Sequence, residues 1–344
     1  MRILLIGGTG TISSAITRQL AESDNELWLL NRGNRKDEIP QGVRLIAADI
    51  NDEAEVLRQL GGTHFDCVCE FIGFKPEQIE RDHRLFRGRT DQYVYISSAS
   101  AYNKPVRHHV ITEGTSLANP YWQYSRDKIA CEELLMRYYR EEAFPITIVR
   151  PSHTYCERSV PTGLHGPRGC WQVIQRMLDG KPILVHGDGS SLWTMTWNED
   201  FARGFIGLIG NPHAIGEAFQ IMSDESLTWD QIYSTIAQCL GVEYKPYYVS
   251  SHFLAAVAPA EYDVTGNLLG DKACTVVFDC TKLKRVVPGW QATTRFDEGV
   301  RRSIAYLQAH PECQIIEPDF DQWCDTVIKT LEEAKEKLEE GRRR

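Results

Sequence analysis

The sequence predicts an α/β fold: a doubly wound parallel sheet with a smaller C-terminal lobe. Three observations predict it. The first half alternates short apolar runs with amphipathic stretches. The runs are almost continuously apolar, as strands covered on both faces must be. Between the first run and the first amphipathic stretch lies a glycine-rich turn, "IGGTGTISSA", Ile6 to Ala15.

The elements follow in order. "RILLIGG" is the first strand, and "TISSAITRQLAES" sets Ile12, Ala15, Ile16 and Leu20 at helical spacing. "ELWLLNRG" and "VRLIAADI" are the second and third strands. "DEAEVLRQL" reads as a helix, "FDCVCEFIGF" as a strand, and "PEQIERDHRLFRG" as a helix opened by Pro76 and closed by Gly88. "QYVYISSAS" is a strand, "YSRDKIACEELLMRYYREEA" a long amphipathic helix, and "PITIVRP" a sixth strand. In such a sheet a ligand binds beyond the carboxyl ends of the strands. The residues there are Gly7, Asn31, Asp49, Phe71, Ser98 and Arg150. From about Thr154 the texture changes, with frequent Gly, Pro and Trp and helices at "NEDFARGFIGLIG" and "TWDQIYSTIAQCLG". "TLEEAKEKLEEGRRR" at the end is a charged helix with a solvated face.

Composition narrows the function classes. The chain has 344 residues, 42% hydrophobic and 25% charged, with a net charge of −9. That balance argues against a protein whose main task is holding a phosphate backbone. No apolar run approaches the ~20 residues that span a bilayer, and "MRILLIGG" reads as a strand rather than a signal peptide. The ten cysteines are scattered without a CxxC pair. Histidines 108, 109, 153, 165 and 186 show no ligand spacing. The expectation is a cytoplasmic protein with reduced thiols, no metal and no membrane partner.

The glycine turn has the context of a dinucleotide cradle, between a strand and a helix. Gly7 permits the tight turn, and Gly10 lets the backbone approach a pyrophosphate at the helix N-terminus. Thr9, Thr11 and Ile12 complete the loop. The third glycine of the pattern, the one used for packing, is replaced by Ser13. The second strand closes on Asn31 instead of a carboxylate, followed by Arg32 and Arg35. Two cations and no acid lean toward NADP over NAD; Arg32 stacking on adenine or lying in solvent is an equal alternative. Asp49, with Ile50 beside it, is placed to accept from an adenine amino group. Phe71, Pro151 and His153, at the ends of the fourth and sixth strands, complete the cofactor candidates.

"YSRDK" sets Tyr124 and Lys128 four apart, on one helix face. An ammonium near a phenol favours phenolate, so Tyr124 can exchange a proton with a substrate hydroxyl. Ser98 can hydrogen-bond the same oxygen. Ser98, Tyr124 and Lys128 are therefore the catalytic candidates.

With "GGTGTIS", "AADI", "YISSASAY", "YSRDK", "IVRPSHTY", "HGDGSSLWTMTWNEDFAR" and "FDCTKLKRVVPGW", the chain resembles an extended short-chain dehydrogenase/reductase of the NAD-dependent epimerase/dehydratase family over nearly its whole length. "NRG", "SSASAY" and "RPSHTY" also resemble an atypical branch that includes the chloroplast stem-loop-binding proteins. The resemblance implies a Rossmann-type NAD(P)-binding domain over 1–153 with returning segments near 190–222. It implies a substrate-binding lobe over 154–189 and 223–325, leaving the charged helix at 326–344. It also implies a Ser–Tyr–Lys triad, a sugar-like substrate that is often nucleotide-activated, and a homodimer using the Tyr124 helix.

The chain departs from the family at several positions. Ala99 and Ser100 stand where dehydratases carry an acidic pair, so epimerisation or simple oxidoreduction is expected instead of dehydration. His153 replaces a frequent Asn, and Leu192-Trp193 a frequent diphosphate-gripping Arg. Ser100, Trp122 and Trp193 are the substrate candidates, with Trp171 and Trp197 as further members of an aromatic platform; core packing is the equal alternative for each tryptophan. Two rival functions stand beside a sugar epimerase or oxidoreductase. One is an RNA-binding protein on a repurposed scaffold, disfavoured by the acidic charge. The other is an NAD(P)-sensing regulator without turnover.

Overall fold

The structure is a computed structural model describing residues 1–35 and 38–343; Lys36, Asp37 and Arg344 lie outside the described residues. The chain divides into two compact units. The first comprises Met1–Cys156, Thr194–Ser226 and Val276–Arg295, the second Glu157–Trp193, Leu227–Thr275 and Phe296–Arg344.

The first unit is built on a seven-stranded sheet. Its strands are β1 (Arg2–Ile6), β2 (Glu26–Asn31), β3 (Arg44–Ala47), β4 (Cys67–Glu70), β5 (Tyr93–Ile96), β6 (Ile146–Arg150) and β7 (Ala218–Gln220). They lie in the order β7-β6-β5-β4-β1-β2-β3, each pair parallel. The predicted parallel α/β sheet is thus present, and the short β7 joins the six strands read from the sequence. Leu4, Val68, Tyr93 and Ile146 are fully buried, as two-sided coverage requires. The strand order reverses between β1 and β4, so the crevice beyond their carboxyl ends is the natural ligand site.

The α-helices of this unit are α1 (Ser13–Ala21), α2 (Glu53–Leu60), α3 (Pro76–Phe86), α4 (Gln123–Glu142), α5 (Asn198–Ile206) and α6 (Thr281–Val286). Asp52 caps α2 by accepting from the Glu55 N–H at 3.1 Å. Pro76 occupies the first turn of α3, where its missing N–H costs nothing.

Gly8 permits the close approach of loop, helix and sheet. Its φ is +94°, and a Cβ there would meet Leu29 Cδ2 at 2.7 Å. Thr17 on α1 donates to the Gly8 carbonyl at 2.7 Å. The packing glycine is therefore Gly8.

The outer edge of β7 is covered by side chains. Lys282 donates to the Ala218 carbonyl at 2.8 Å, and the Gln220 N–H donates to Glu113 at 3.1 Å. The Gln220 side chain donates to the Ile111 and Asp279 carbonyls and accepts from the Tyr102 hydroxyl.

The second unit holds helices Trp171–Leu178, Trp229–Leu240, Ser251–Val257, Phe296–Ala309 and Pro318–Arg342. Strands Ile183–His186 and Pro246–Val249 pair in parallel. A π-helix, Thr265–Lys272, ends on a carbonyl that accepts from Trp229 Nε1 at 3.2 Å and Ser191 Oγ at 3.4 Å. The terminal helix begins upstream of the charged run, because Phe320, Cys324 and Val327 give it a buried face. Among the described residues no helix is long and apolar enough to cross a membrane.

Candidate functional site

A cavity of about 470 Å³ opens beyond the carboxyl ends of β1, β2 and β3. Gly7, Thr9, Asn31, Arg32, Arg35, Asp49 and Ile50 line it, together with Asn34, Asn51, Ile72, Gln78 and Arg81. Most of the cofactor candidates are thereby brought together. Gly7 turns at φ +110°, a conformation that strains any residue with a Cβ.

Asn31 braces the loop. Its amide donates to the Gly7 carbonyl at 3.1 Å, and its oxygen accepts from the Gly33 N–H at 2.8 Å. Arg35 donates to the Thr9 carbonyl at 3.1 Å, tying the two sides of the cavity together. Ser13 accepts from the Gly10 N–H at 3.0 Å, so its hydroxyl does more than fill the space of a glycine. Thr11 is held from α5, whose Asn198 donates to its carbonyl at 3.1 Å.

Gly10, Thr11, Ile12, Phe71, Pro151 and His153 are not among the lining residues of this cavity. The Phe71 ring packs on Phe205 at 5.6 Å, and its neighbour Ile72 forms the wall instead. Pro151 accepts at its carbonyl from the Ala99 N–H, and His153 lies in a short strand paired with Met195–Trp197.

The catalytic candidates gather where β4, β5 and α4 meet. Lys128 is 1% exposed. Its ammonium donates to the Gly73 and Ile96 carbonyls, both at 2.7 Å. It also lies over the rings of Phe74 and Tyr95 at 4.7 Å and of Tyr124 at 5.9 Å. Burial pushes it down to about 8 from 10.5, with nearby acidic groups opposing. Tyr124 is half-buried, with Trp122 at 4.9 Å and Phe74 at 6.3 Å between ring centres.

Ser98 ends a chain of hydroxyls. Ser125 on α4 donates to Ser100 at 2.7 Å, and Ser100 lies 2.9 Å from Ser98. The Ser100 N–H also donates to Ser98 Oγ at 3.2 Å. In the Ser98–Ser100 pair either hydroxyl can be the donor. When Ser100 is the donor, both lone pairs of Ser98 are taken and its proton can be offered outward.

Glu70 closes β4 fully buried and accepts from the Ile72 N–H. Burial and the neighbouring Asp82 hold its carboxyl well above the usual carboxylate range. Sequence reasoning missed this acid, and also Asn51 and Arg81. No motif marks them, and the bond that joins Arg81 to Asn51 spans 30 positions.

A parallel sheet with a glycine turn, a strand-order switch and a Tyr–Lys helix agrees with the sequence comparison. Residues 3–221 match the NAD dependent epimerase/dehydratase family. The chain belongs to this family. Among its relatives is 2′-dehydrokanamycin reductase of Streptomyces kanamyceticus, 24% identical over 85% of this chain and 80% of that one. An uncharacterized UDP-glucose epimerase, YtcB of Bacillus subtilis, is 26% identical over 90% and 98%. The chloroplast stem-loop binding protein of 41 kDa b of Arabidopsis thaliana is 23% identical over 76% and 73%. Two solved structures share the fold. UDP-glucuronic acid 4-epimerase of Bacillus cereus, in complex with NAD, superposes with a TM-score of 0.68 at 19% identity, covering 90% of this chain and 99% of that one. The dTDP-glucose 4,6-dehydratase of Bacillus anthracis, also with NAD, gives 0.70 at 16% identity over 91% and 98%.

Within the family the remaining candidates are placed as follows. Ser100, where an acid stands in dehydratases, is 2% exposed and serves the hydroxyl chain. Of the four tryptophans, only Trp122 is not buried. Trp197 packs edge-on to Tyr155, Trp193 stacks on Trp229, and Trp171 is 6% exposed. Core packing accounts for these three.

Proposed function

We propose that the chain is an NAD(P)-dependent epimerase or oxidoreductase acting on a secondary alcohol of a sugar or nucleotide-sugar-like substrate. The observation that carries this is the buried Lys128 ammonium on the same helix face as Tyr124. A cation held there favours the phenolate, so Tyr124 takes a proton from the substrate hydroxyl and returns it in the reverse direction. Ser98 donates to the same oxygen and steadies its charge. The residues lining the 470 Å³ cavity fit the adenosine half of a dinucleotide, with Gly7 and Thr9 facing its phosphates, Arg32 and Arg35 its 2′ position, and Asp49 its base. When bound, the dinucleotide supplies hydride transfer.

Arg32, Arg35 and the missing carboxylate at Asn31 favour NADP; membership of an NAD-dependent family favours NAD. Dehydration is the less favoured outcome, because Ala99 and Ser100 offer no acid. A homodimer through α4 and a cytoplasmic location belong to the same reading. The test is Tyr124→Phe assayed on a panel of UDP- and dTDP-hexoses, with cofactor binding measured alongside. A fall of ~10²-fold or more in turnover with binding intact is expected. Near-normal turnover refutes the role. Similarity to the stem-loop binding protein supports one second reading, RNA binding. Salt-sensitive retention on RNA would favour it, and no retention at low salt would end it.

A further inference from the structure

A chain of hydrogen bonds runs from the core of the first unit to the rim of the 470 Å³ cavity. It begins at Tyr93, which is fully buried and donates from its hydroxyl to Asp82 Oδ2 at 2.7 Å. Asp82, also fully buried, accepts on Oδ1 from Arg81 Nε at 2.9 Å and Nη2 at 2.7 Å. Arg81, 5% exposed, then donates from Nη1 to Asn51 Oδ1 at 2.8 Å. Asn51 donates to Asp49 Oδ1 twice, from its backbone N–H at 2.9 Å and from Nδ2 at 3.0 Å.

The chemistry of each link sets its direction. A guanidinium can only donate, so Arg81 must face the oxygen of the Asn51 amide. The nitrogen of that amide then faces Asp49. Asp49 Oδ1 carries two donors, and Oδ2 is the acceptor left toward the cavity. Three buried groups thus stand behind a carboxylate that is itself exposed.

We infer that Arg81, acting through Asn51, is a positioning residue that fixes Asp49 as an acceptor for the exocyclic amino group of adenine, and so makes the cavity selective for adenine dinucleotides. The inference rests on the cofactor reading above. Its chemistry is discriminating, because the same carboxylate faces a carbonyl oxygen when hypoxanthine replaces adenine. One donor–acceptor contact then becomes two opposed acceptors. An Asp49 free to rotate would present either oxygen, or swing into water, and would discriminate less.

The experiment measures dissociation constants of the full chain by calorimetry. The probes are NAD⁺, NADP⁺ and the corresponding hypoxanthine dinucleotides. The wild type is expected to prefer adenine by ~10–100-fold, the range of a charge-assisted hydrogen bond lost and left unpaired. Asn51→Ala should cut that ratio to about 3-fold or less by weakening the adenine cofactor while the hypoxanthine analogue is unmoved. Asn51 is exposed, so this variant keeps the fold. Arg81→Lys retains a cation for Asp82 but lacks the planar fork that serves Asp82 and Asn51 together. It should lower the ratio in the same way, with no further loss in the double variant. Equal weakening of both cofactors means a merely structural role and overturns the inference. A wild type that binds dinucleotides without preferring adenine also overturns it, and leaves the cofactor reading standing. A wild type that binds no dinucleotide overturns the cofactor reading and this inference with it.

Discussion

Replacing Lys128 by Met separates the stability of this fold from its chemistry. The ammonium is displaced from 10.5 to about 8 by burial, a difference worth about 3 kcal/mol against the fold whenever the group is charged in both states. Below 10.5 the unfolded chain holds this proton more firmly than the native one. Its contribution to stability is therefore absent below about 8 and returns as pH rises from about 8 to 10.5. Between about pH 7 and about pH 9.5 the recovery is about 2 kcal/mol. Methionine removes that dependence. It also strips the donor from the Gly73 and Ile96 carbonyls, at a cost of about 1–3 kcal/mol each. Near pH 7 the two effects oppose each other, and the variant stays folded. Urea denaturation of both proteins at a series of pH values isolates the lysine. Opposing titrations of the buried Cys280 and Cys324 thiols, both pushed up to about 12, cancel in the difference. The wild type should gain about 2 kcal/mol over the variant across that interval. Parallel curves would refute a buried, pH-sensitive ammonium.

Four further outcomes follow from packing and hydrogen bonding. Gly8→Ala should lose about 2–5 kcal/mol in denaturant unfolding, through positive-φ strain and collision with Leu29. Gly10→Ala, whose nearest contact would be Ser13 Oγ at 3.6 Å, should fold normally yet bind dinucleotide poorly in calorimetry. Ser13→Ala leaves the Gly10 N–H without its acceptor and should weaken dinucleotide binding about 3–10-fold; unchanged affinity would return that hydroxyl to a space-filling role. Ser100→Ala should slow turnover in the wild type and change nothing further in a Ser98→Ala background, because it acts only through Ser98; additive losses would refute the hydroxyl chain.

The sheet was legible because its strands are nearly unbroken apolar runs, each closed by a polar or small residue. Asn31 and Asp49 were found that way, and Lys128 by its spacing from Tyr124. The strand Ala218–Gln220 escaped notice because three residues show no periodicity. Arg81 and Asn51 escaped because their pairing spans 30 positions and joins a loop to a helix, a relation that no local pattern encodes. The tryptophans are ambiguous in sequence for a different reason. A large ring serves a binding platform or a core equally well, and only the packing decides between them. The π-helix Thr265–Lys272 has no sequence signature at all, since side-chain bonds to its last carbonyl help to hold it.

The seal on β7 bears on how the protein behaves in a crowded solution. A terminal strand with bare N–H and C=O groups is a template on which another chain's strand can grow. Here Lys282 and Glu113 occupy those groups on Ala218 and Gln220, so an incoming strand would first have to displace both. The protection of this edge thus depends on Lys282 and Glu113. Lys282→Met would leave the fold intact while lowering the concentration at which the protein begins to polymerise.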